Sequence, residues 1–184
     1  RMMAHDFPSV PCATVVTSIT KADRMENIFK TFLPEYVFHA AAYKHVPMME
    51  DNPCESIQNN VLGTKILADL SVKYGVRRFV MVSTDKAVNP TNVMGCSKRI
   101  CEVYVQSLNK AERDGVVKGQ TQFITTRFGN VLGSNGSVIP IFERQIKAGG
   151  PVTDPNIIRY FMLIPEACEL VLDCLLYTSD AADE

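Results

Sequence analysis

The sequence predicts an α/β protein with a doubly wound, Rossmann-like parallel sheet. Short apolar runs alternate with longer segments of helical periodicity, which is the pattern of successive βαβ units with right-handed crossovers. The run RFVMVS at residues 78–83 is almost continuously apolar, as in a parallel strand that helices cover on both faces. Polar loops follow the strands, and ligands of such sheets bind beyond the carboxyl ends of the strands.

The first 40 residues are predicted to form a strand, a helix and a second strand. CATVV at residues 12–16 is a short apolar run. Apolar residues recur at helical spacing over residues 21–32, and Pro34 follows as a stop. YVFHA at residues 36–40 has the composition of a buried strand.

A long helix is predicted between the strands at residues 36–40 and 78–83. Asn52 and Pro53 form an N-cap and first-turn pair, and Gly75 marks the end. The apolar face of this helix is predicted to comprise Ile57, Val61, Ile66, Leu67 and Leu70.

The second half continues the alternation of helices and strands. It comprises a loop at 84–93, a helix at 94–111, a strand at 122–127, a glycine- and serine-rich loop at 129–137, a helix at 138–148, an extended piece at 160–162 and a helix at 165–176.

Composition narrows the classes of function. The 184 residues are 46% hydrophobic and 21% charged, which is typical of one globular domain and excludes disorder, collagen and coiled coil. The net charge of -1 provides no general basic field for nucleic acid. No apolar run reaches the roughly 18 residues that span a bilayer. The six cysteines form no C-x-x-C pair, and no residues show zinc-like spacing, so we expect no metal site and reduced thiols in the cytoplasm.

The loop after the strand at residues 36–40 begins with His39 and three alanines. Small side chains there let the backbone approach a bulky planar ligand, although tight strand–helix packing explains them equally well. Lys44 and His45 follow, either as site residues or as solvated loop residues.

The loop after residues 78–83 places donors and acceptors side by side. Ser83 and Thr84 precede Asp85 and Lys86, and a carboxyl beside an amine can supply a proton donor and a proton acceptor in one place. The competing interpretation is a turn with a surface ion pair, which contributes little energy. Farther along, Met94 and Lys98 lie one helical turn apart and therefore share a helix face.

The third loop, residues 127–137, is rich in glycine and contains Asn130 and Ser137. Backbone amides near a helix start can hold an anion, although such loops are common. Arg127 and Arg159 could clamp a phosphate in bidentate fashion.

Four segments together resemble the nucleotide-sugar 4,6-dehydratases of bacterial polysaccharide biosynthesis, within the extended short-chain dehydrogenase/reductase superfamily. The resemblance extends in order over residues 15–172. The segments are HAAAYKHVP at 39–47, STDKAVNPTNVM at 83–94, RFGNVLG at 127–133 and RYFM at 159–162.

The resemblance implies a bound NAD or NADP and a UDP-N-acetylhexosamine substrate, with UDP-N-acetylglucosamine as the expected sugar nucleotide. Carbon 4 of the sugar is oxidised transiently, water is eliminated across carbons 5 and 6, and hydride returns to carbon 6. The product is a 4-keto-6-deoxy sugar. Such chemistry requires an acid and a base in a site closed to water.

The resemblance also assigns roles to individual residues. Asp85 and Lys86 match the acid/base pair, and Thr84 matches the neighbour that hydrogen-bonds a sugar hydroxyl. Met94 occupies the position of the usual tyrosine and cannot exchange a proton; Lys98 matches the lysine that holds the nicotinamide ribose. The remaining matches are His39, Ala40, Ala41, Ala42 and Ser83 for the cofactor, Asn130, Ser137 and Arg159 around the nucleotide diphosphate, and Lys44 and His45 at the substrate edge.

Several departures from the family pattern predict an interior fragment. The sequence contains no G-x-x-G-x-x-G loop, so we expect the first βα unit and its pyrophosphate site to be missing. Thr17–Ile19 replaces the acidic residue that faces the adenine, and the segment at 151–156 is about two residues short. We expect residues 1–176 to be part of the NAD(P)-binding catalytic domain, with 127–176 on the substrate side, and 177–184 to be an unstructured tail foreign to the family.

Two other functions compete with the dehydratase. A 4-epimerase of the same superfamily would not need the Asp85–Lys86 pair and normally uses the tyrosine that Met94 replaces. A non-catalytic Rossmann module would be consistent with the missing glycine loop.

Large members of the family that have Met at the position of Met94 are generally anchored by an N-terminal membrane region. We therefore expect a cytoplasmic catalytic domain, and anchoring of a parent protein to the inner membrane and a homo-oligomeric state both stay open.

Overall fold

A three-stranded parallel sheet forms the centre of the protein. The computed structural model describes residues 5–133, 138–150, 158 and 160–176. The strands are β1 (Tyr36–His39), β2 (Arg78–Thr84) and β3 (Gln122–Phe128), and they lie in the order β1-β2-β3. The register places Val80 of β2 beside Phe38 and Ile124. The predicted α/β class with a Rossmann-like parallel sheet is confirmed.

Helices connect these strands and cover the sheet. They are α1 (Ala22–Phe32), α2 (Val46–Asp51), α3 (Pro53–Ser56), α4 (Gly63–Lys73), α5 (Val93–Arg113), α6 (Val138–Lys147) and α7 (Ile164–Leu176). A π-helical segment, Ile57–Leu62, joins α3 to α4, and a 3₁₀ turn, Asp85–Ala87, follows β2. Within the described ranges, no helix combines the length and apolar character that a membrane span requires.

A second, smaller sheet lies in the C-terminal part. Its strands are β4 (Asn130–Val131) and β5 (Phe161–Met162), which pair in parallel. The sequence predicted an extended piece at residues 160–162 but placed residues 130–131 in a loop. Asn130 pairs with Phe161, so distant pairing rather than local apolar patterning makes this strand.

The core lies between the sheet and helices α1, α4 and α5. Phe79 on β2 is fully buried, and its ring centroid lies 5.8 Å from that of His39 and 5.4 Å from that of Phe123. Leu67 from α4 and Val105 from α5 belong to the same buried cluster. The three strands are thus joined by ring contacts across one face of the sheet, in addition to backbone hydrogen bonds.

Two strand predictions need correction. Residues 12–16 form no strand, and the described residues offer that segment no pairing partner; Val16 is 91% exposed. The strand at residues 36–40 is only half-buried, because β1 is an outer strand of the sheet and Tyr36 and Phe38 remain exposed.

The long predicted helix forms, but its buried face differs from the prediction. Ile57 is exposed, whereas Asn60 and Thr64 are buried. A π-helical turn holds more residues than an α-helical turn, so the segment changes which residues face the core. Asn52 also does not cap this helix, because its side-chain amide donates to the carbonyl of Met48 in α2, a helix that the sequence placed in a loop.

The sequence analysis assigned residues 1–176 to the NAD(P)-binding catalytic domain, residues 127–176 to its substrate side and residues 177–184 to a foreign tail. This division stays a prediction. The tail at 177–184 and the short segment at 151–156 lie outside the described residues.

His39 is a buried titratable group at the end of β1. Its Nε2 lies 2.8 Å from Thr64 Oγ1, while Nδ1 has no hydrogen-bond partner among the described residues. Burial, with a smaller contribution from the charge of Lys98, lowers the pKa of His39 to about 3. The folded protein therefore keeps this imidazole neutral at neutral pH.

The core position of Phe79 generates a first prediction. We expect Phe79→Ala to lower the free energy of unfolding by about 3–5 kcal/mol, because it leaves a cavity between the rings of His39 and Phe123. Phe38→Ala, at a half-exposed position on the adjacent strand, is the matched control and should cause a clearly smaller loss. Urea denaturation measures both, and equal losses would contradict this description of the core.

His39 generates a second prediction. Between its ordinary pKa of 6.5 and the folded value of about 3, the unfolded chain binds a proton that the folded chain does not. Stability therefore falls as the pH falls through this window, with a slope of up to about 1.4 kcal/mol per pH unit. We expect His39→Gln, whose amide can still reach Thr64, to remove that part of the slope. Urea unfolding at several pH values tests this, and identical slopes would contradict it.

Candidate active site

An open cavity of about 440 Å³ lies at the carboxyl ends of the parallel strands. The loop after β1, the end of β2, the start of α5, the residues after β3 and the helix α7 all contribute to its wall. A parallel sheet brings the ends of successive strands to one edge, which explains why segments so distant in sequence meet here.

Most of the predicted site residues line this cavity. They are Ala40, Ala42, Lys44, His45, Ser83, Thr84, Lys86, Met94, Lys98 and Asn130. His39, Ala41 and Asp85 are not among the lining residues; the His39 ring points to Thr64 of α4 instead. Ser137 and Arg159 lie outside the described residues.

Asp85 and Lys86 form an ion pair at the edge of the cavity. Lys86 Nζ donates to Asp85 Oδ1 at 2.9 Å, and Thr84 Oγ1 donates to the same oxygen at 2.9 Å. Partial burial pushes the pKa of Asp85 upward, but the hydrogen bonds from Lys86 and Thr84 outweigh this effect and leave the pKa below its ordinary value. Asp85 is therefore an ionised carboxylate at neutral pH, and it pairs with the Lys86 side chain.

The first turns of α5 place Met94 and Lys98 in the cavity wall. Both residues are buried. The helix start is fixed by two side chains, since Asn92 accepts from the Gly95 amide at 2.8 Å and Glu50 accepts from the Val93 amide at 2.6 Å. These caps satisfy backbone donors that the helix itself leaves unpaired.

The Lys98 ammonium is the most unusual group in the cavity. The side chain is only 6% exposed, and it lines the cavity. Burial lowers the pKa of Lys98, while the nearby Cys101 and Glu102 act in the opposite direction. Burial of a charged group is unfavourable, so this group is suited to a polar ligand that enters the cavity.

Ser83 and Arg127 both bind a buried carboxylate behind the cavity. Ser83 Oγ donates to Glu102 Oε1 at 2.6 Å, and Arg127 donates to the two oxygens of Glu102 at 2.9 and 2.6 Å. The phosphate clamp expected of Arg127 is therefore not what the structure shows, because its guanidinium is already held in bidentate fashion by Glu102.

Asn60 is a site-forming residue that the sequence did not single out. It accepts the Tyr43 amide at 2.7 Å and donates to the Tyr43 carbonyl at 3.0 Å and to Ser97 Oγ at 2.9 Å. The loop after β1 is thereby tied to the helix that carries Lys98. A polar residue inside a predicted apolar helix face was the signal available in the sequence.

Helix α7, within the region expected on the substrate side, supplies further wall residues that the sequence analysis did not name. Ile164, Ala167 and Cys168 line the cavity. No carboxylate is found among the described lining residues, whereas three lysines are, namely Lys44, Lys86 and Lys98. Asp85, the partner of Lys86, lies outside this lining. In the ranges that the structure describes, no three His, Cys, Asp or Glu side chains lie close enough together to hold a metal ion.

Comparison with known proteins identifies relatives for most of the chain. Residues 3–182 match the family described as "Polysaccharide biosynthesis protein". The capsular polysaccharide biosynthesis protein CapD of Staphylococcus aureus is 53% identical over 160 residues, which cover 86% of this chain and 26% of CapD. A UDP-glucose 4-epimerase of Rickettsia akari is 42% identical over 140 residues, which cover 75% of this chain and 40% of the epimerase.

A solved structure supports the same relationship. The X-ray structure of Pen from Bacillus thuringiensis superposes with a TM-score of 0.83 at 32% identity, covering 96% of this chain and 53% of Pen. The chain thus spans about a quarter of the length of CapD and about half that of Pen. The motifs at the strand ends, the sequence match and the superposition agree, and the chain belongs to the polysaccharide biosynthesis protein family.

Proposed function

We propose that this chain carries the active-site core of an NAD(P)-dependent nucleotide-sugar 4,6-dehydratase that acts on a UDP-N-acetylhexosamine. The observation that carries the proposal is the Asp85–Lys86 ion pair, joined at 2.9 Å at the mouth of a cavity whose wall also contains Met94 and Lys98. Elimination of water needs a proton acceptor and a proton donor in one place, and this pair offers both.

The cavity suits a phosphorylated ligand. Its described lining contains three lysines and no carboxylate, and the phosphates of a nucleotide diphosphate or a dinucleotide would add an anionic group beside the Asp85–Lys86 pair. Both proposed ligands, the UDP-sugar and the cofactor, carry a diphosphate. We assign the remaining predicted contacts with Asn130, Ser137 and Arg159 to this anionic part of the ligand, as the resemblance implies.

The residues present fit the nicotinamide half of a dinucleotide. The Lys98 side chain lines the cavity, and a ribose hydroxyl there would accept a hydrogen bond from it. Ala40 and Ala42 leave room beside the backbone of the loop after β1. When bound, NAD(P) supplies a hydride acceptor and donor for the sugar carbons. The glycine loop that would hold the pyrophosphate is absent from this sequence.

In the proposed reaction the residues of this chain orient the sugar and move protons. The Thr84 hydroxyl lies in the lining and can hydrogen-bond a sugar hydroxyl. Once carbon 4 is a ketone, the proton on carbon 5 becomes acidic, and one member of the Asp85–Lys86 pair accepts it. The other member donates a proton to the leaving 6-hydroxyl, which departs as water. Met94 holds its place in the wall without exchanging a proton.

The Rickettsia akari relative favours a second candidate, a nucleotide-sugar 4-epimerase. Epimerisation removes hydride from carbon 4 and returns it to the opposite face, with no elimination at carbons 5 and 6. Both reactions begin with oxidation at carbon 4 and require a proton acceptor for the 4-hydroxyl; Met94 cannot fill that role, and we assign it to Thr84, Asp85 or a bound water. The two candidates differ in their products. A full-length protein that carries this sequence should convert UDP-N-acetylglucosamine to a 4-keto-6-deoxy sugar, and product NMR would show an epimerised sugar instead if the second candidate were right.

The acid/base pair generates a third prediction. In a full-length protein, we expect Asp85→Asn and Lys86→Met each to slow dehydration by about 10²–10⁴-fold, because each removes one proton-transferring group. Solvent deuterium incorporation at carbon 5, measured together with product formation, reports the step directly.

The control for that experiment is Glu35→Gln. It breaks an exposed ion pair, with Arg77, that lies before β1 and away from the cavity. Its turnover should match that of the unmodified protein. Undiminished turnover in both site variants would show that Asp85 and Lys86 form only a surface ion pair.

The part of the cavity wall that α5 forms generates a fourth prediction. We expect Met94→Leu to change turnover little, because the two side chains have similar volume and neither exchanges a proton. Lys98→Met should lower turnover by about 10- to 10²-fold, because a charged hydrogen bond to the ligand is lost. Steady-state kinetics compares the two variants. An impaired Met94→Leu protein beside a fully active Lys98→Met protein would reject this placement of α5 against the cofactor.

A further inference from the structure

Helix α5 contacts the turn Asp85–Ala87, called here the acid/base turn, through a glycine. Gly95 lies in the first turn of the helix and is buried. A Cβ at this position would stand 2.4 Å from the carbonyl oxygen of Lys86 and 3.2 Å from its carbonyl carbon. The backbone of the turn and the backbone of the helix are therefore in direct contact, and only a residue without a side chain permits this approach.

The contact cannot be relieved by a change of rotamer. Both partners are main chain, and the Lys86 carbonyl belongs to the 3₁₀ turn Asp85–Ala87. The same turn is held by hydrogen bonds from the Val88 amide to the Asp85 carbonyl at 3.1 Å and from the Lys86 amide to Thr84 Oγ1 at 3.4 Å. A methyl group at position 95 would thus have to displace the turn as a unit, by roughly half an ångström or more.

The residues on the two sides of this contact are those that form the cavity wall. Met94 precedes Gly95, and Lys98 lies one turn farther along the same helix. Lys86, whose carbonyl is touched, lines the cavity and pairs with Asp85. The turn that carries the acid/base pair and the helix that carries Lys98 therefore meet in a direct backbone contact, in addition to the hydrogen bond between Ser83 and Glu102.

We propose that Gly95 is a positioning residue, which seats the Asp85–Ala87 turn on the first turn of α5 and so fixes the acid/base pair relative to Lys98. The expected effect of replacing Gly95 on turnover rests on the proposed dehydratase function, whereas the expected effect on the position of the Asp85–Ala87 turn does not. A displacement of about 1 Å in a reacting group can lower the rate by about 10²-fold.

A matched control variant exists in the same chain. Gly63 begins α4, and a Cβ there would meet the side chain of Ile19, with 2.4 Å to its Cδ1. Gly63→Ala therefore makes the same chemical change at a buried helical glycine, but it encounters the end of a flexible side chain instead of a backbone carbonyl. It should leave the acid/base turn unchanged.

The first experiment needs no substrate. Amide hydrogen exchange is measured on the 184-residue chain and on its Gly95→Ala and Gly63→Ala variants. We expect Gly95→Ala to speed exchange at the Lys86 and Val88 amides, with unchanged protection in β2 and β3. Gly63→Ala should leave both amides as they are. Unchanged exchange at Lys86 and Val88 in a folded Gly95→Ala protein would overturn the proposal.

The second experiment separates positioning from a purely structural role. In a full-length protein, Gly95→Ala should lower kcat for dehydration by about 10²-fold while KM changes little, because the ligand still binds but the acid/base pair is displaced. The Gly63→Ala protein should keep both constants. A fall in thermal stability with unchanged kcat would assign Gly95 a structural role only and would overturn the proposal.

A second variant tests the proposal without any steric overlap, in case Gly95→Ala fails to fold. Glu50→Ala removes the acceptor of the Val93 amide and loosens the first turn of α5. If contact with the first turn of α5 holds the Asp85–Ala87 turn in place, amide hydrogen exchange at Lys86 and Val88 should become faster together with exchange at Val93. Faster exchange at Val93 alone would overturn the proposal.

The two readouts also separate this inference from the proposed function. A selective exchange response with no dehydration in the unmodified full-length protein would refute the dehydratase and retain Gly95 as the residue that seats the turn. Active dehydration with no response to Gly95→Ala in either readout would retain the dehydratase and refute the inference.

Discussion

The geometry of the candidate site depends on one buried carboxylate. Glu102 of α5 is fully buried and accepts hydrogen bonds from Ser83 at the end of β2, from Arg127 at the end of β3 and from Arg99 of its own helix. Burial pushes the pKa of Glu102 upward, but the hydrogen bonds from Arg127, Ser83 and Arg99 outweigh it and leave the pKa lowered. Because removal of one partner would leave a buried charge uncompensated, this network locks the two strand ends to the helix that carries Met94 and Lys98.

Asn60 performs the corresponding task for the loop after β1. Its amide binds both main-chain groups of Tyr43 and the hydroxyl of Ser97, the residue before Lys98. It can do so because it lies in the π-helical segment, where the usual helical face is interrupted and a polar side chain points inward. Glu102 and Asn60 thus place three strand-end segments around one helix, and both act through charged or amide hydrogen bonds that specify geometry more strictly than apolar packing does.

Local patterns in the sequence were sufficient for the main helices and strands but not for features that arise from pairing. The apolar run at residues 78–83 and the helical spacing at residues 21–32 arise because these segments are buried against the core. The positions of this strand and this helix could therefore be predicted from the local pattern. The strand Asn130–Val131 exists only because Phe161–Met162 lies beside it, and no residue near position 130 carries that information. For the same reason CATVV at 12–16 has strand composition without forming a strand.

The candidate site was predictable to a similar extent. Consecutive polar residues after β2 predicted where chemistry would occur, because strand ends converge in a parallel sheet. The partners of Arg127 and Tyr43 were not predicted, since Glu102 and Asn60 lie on predicted helices that were assigned to packing; for Asn60, its polar side chain inside an apolar face was the signal.

The orientation of the acid/base pair adds a constraint on the proposed chemistry. Lys86 lines the cavity, whereas Asp85 does not, and its carboxylate receives hydrogen bonds from Lys86 and Thr84. In this arrangement the amine faces the ligand and the carboxylate holds the amine in place. In the proposed reaction, Lys86 is therefore the member of the pair that lies nearer to the sugar.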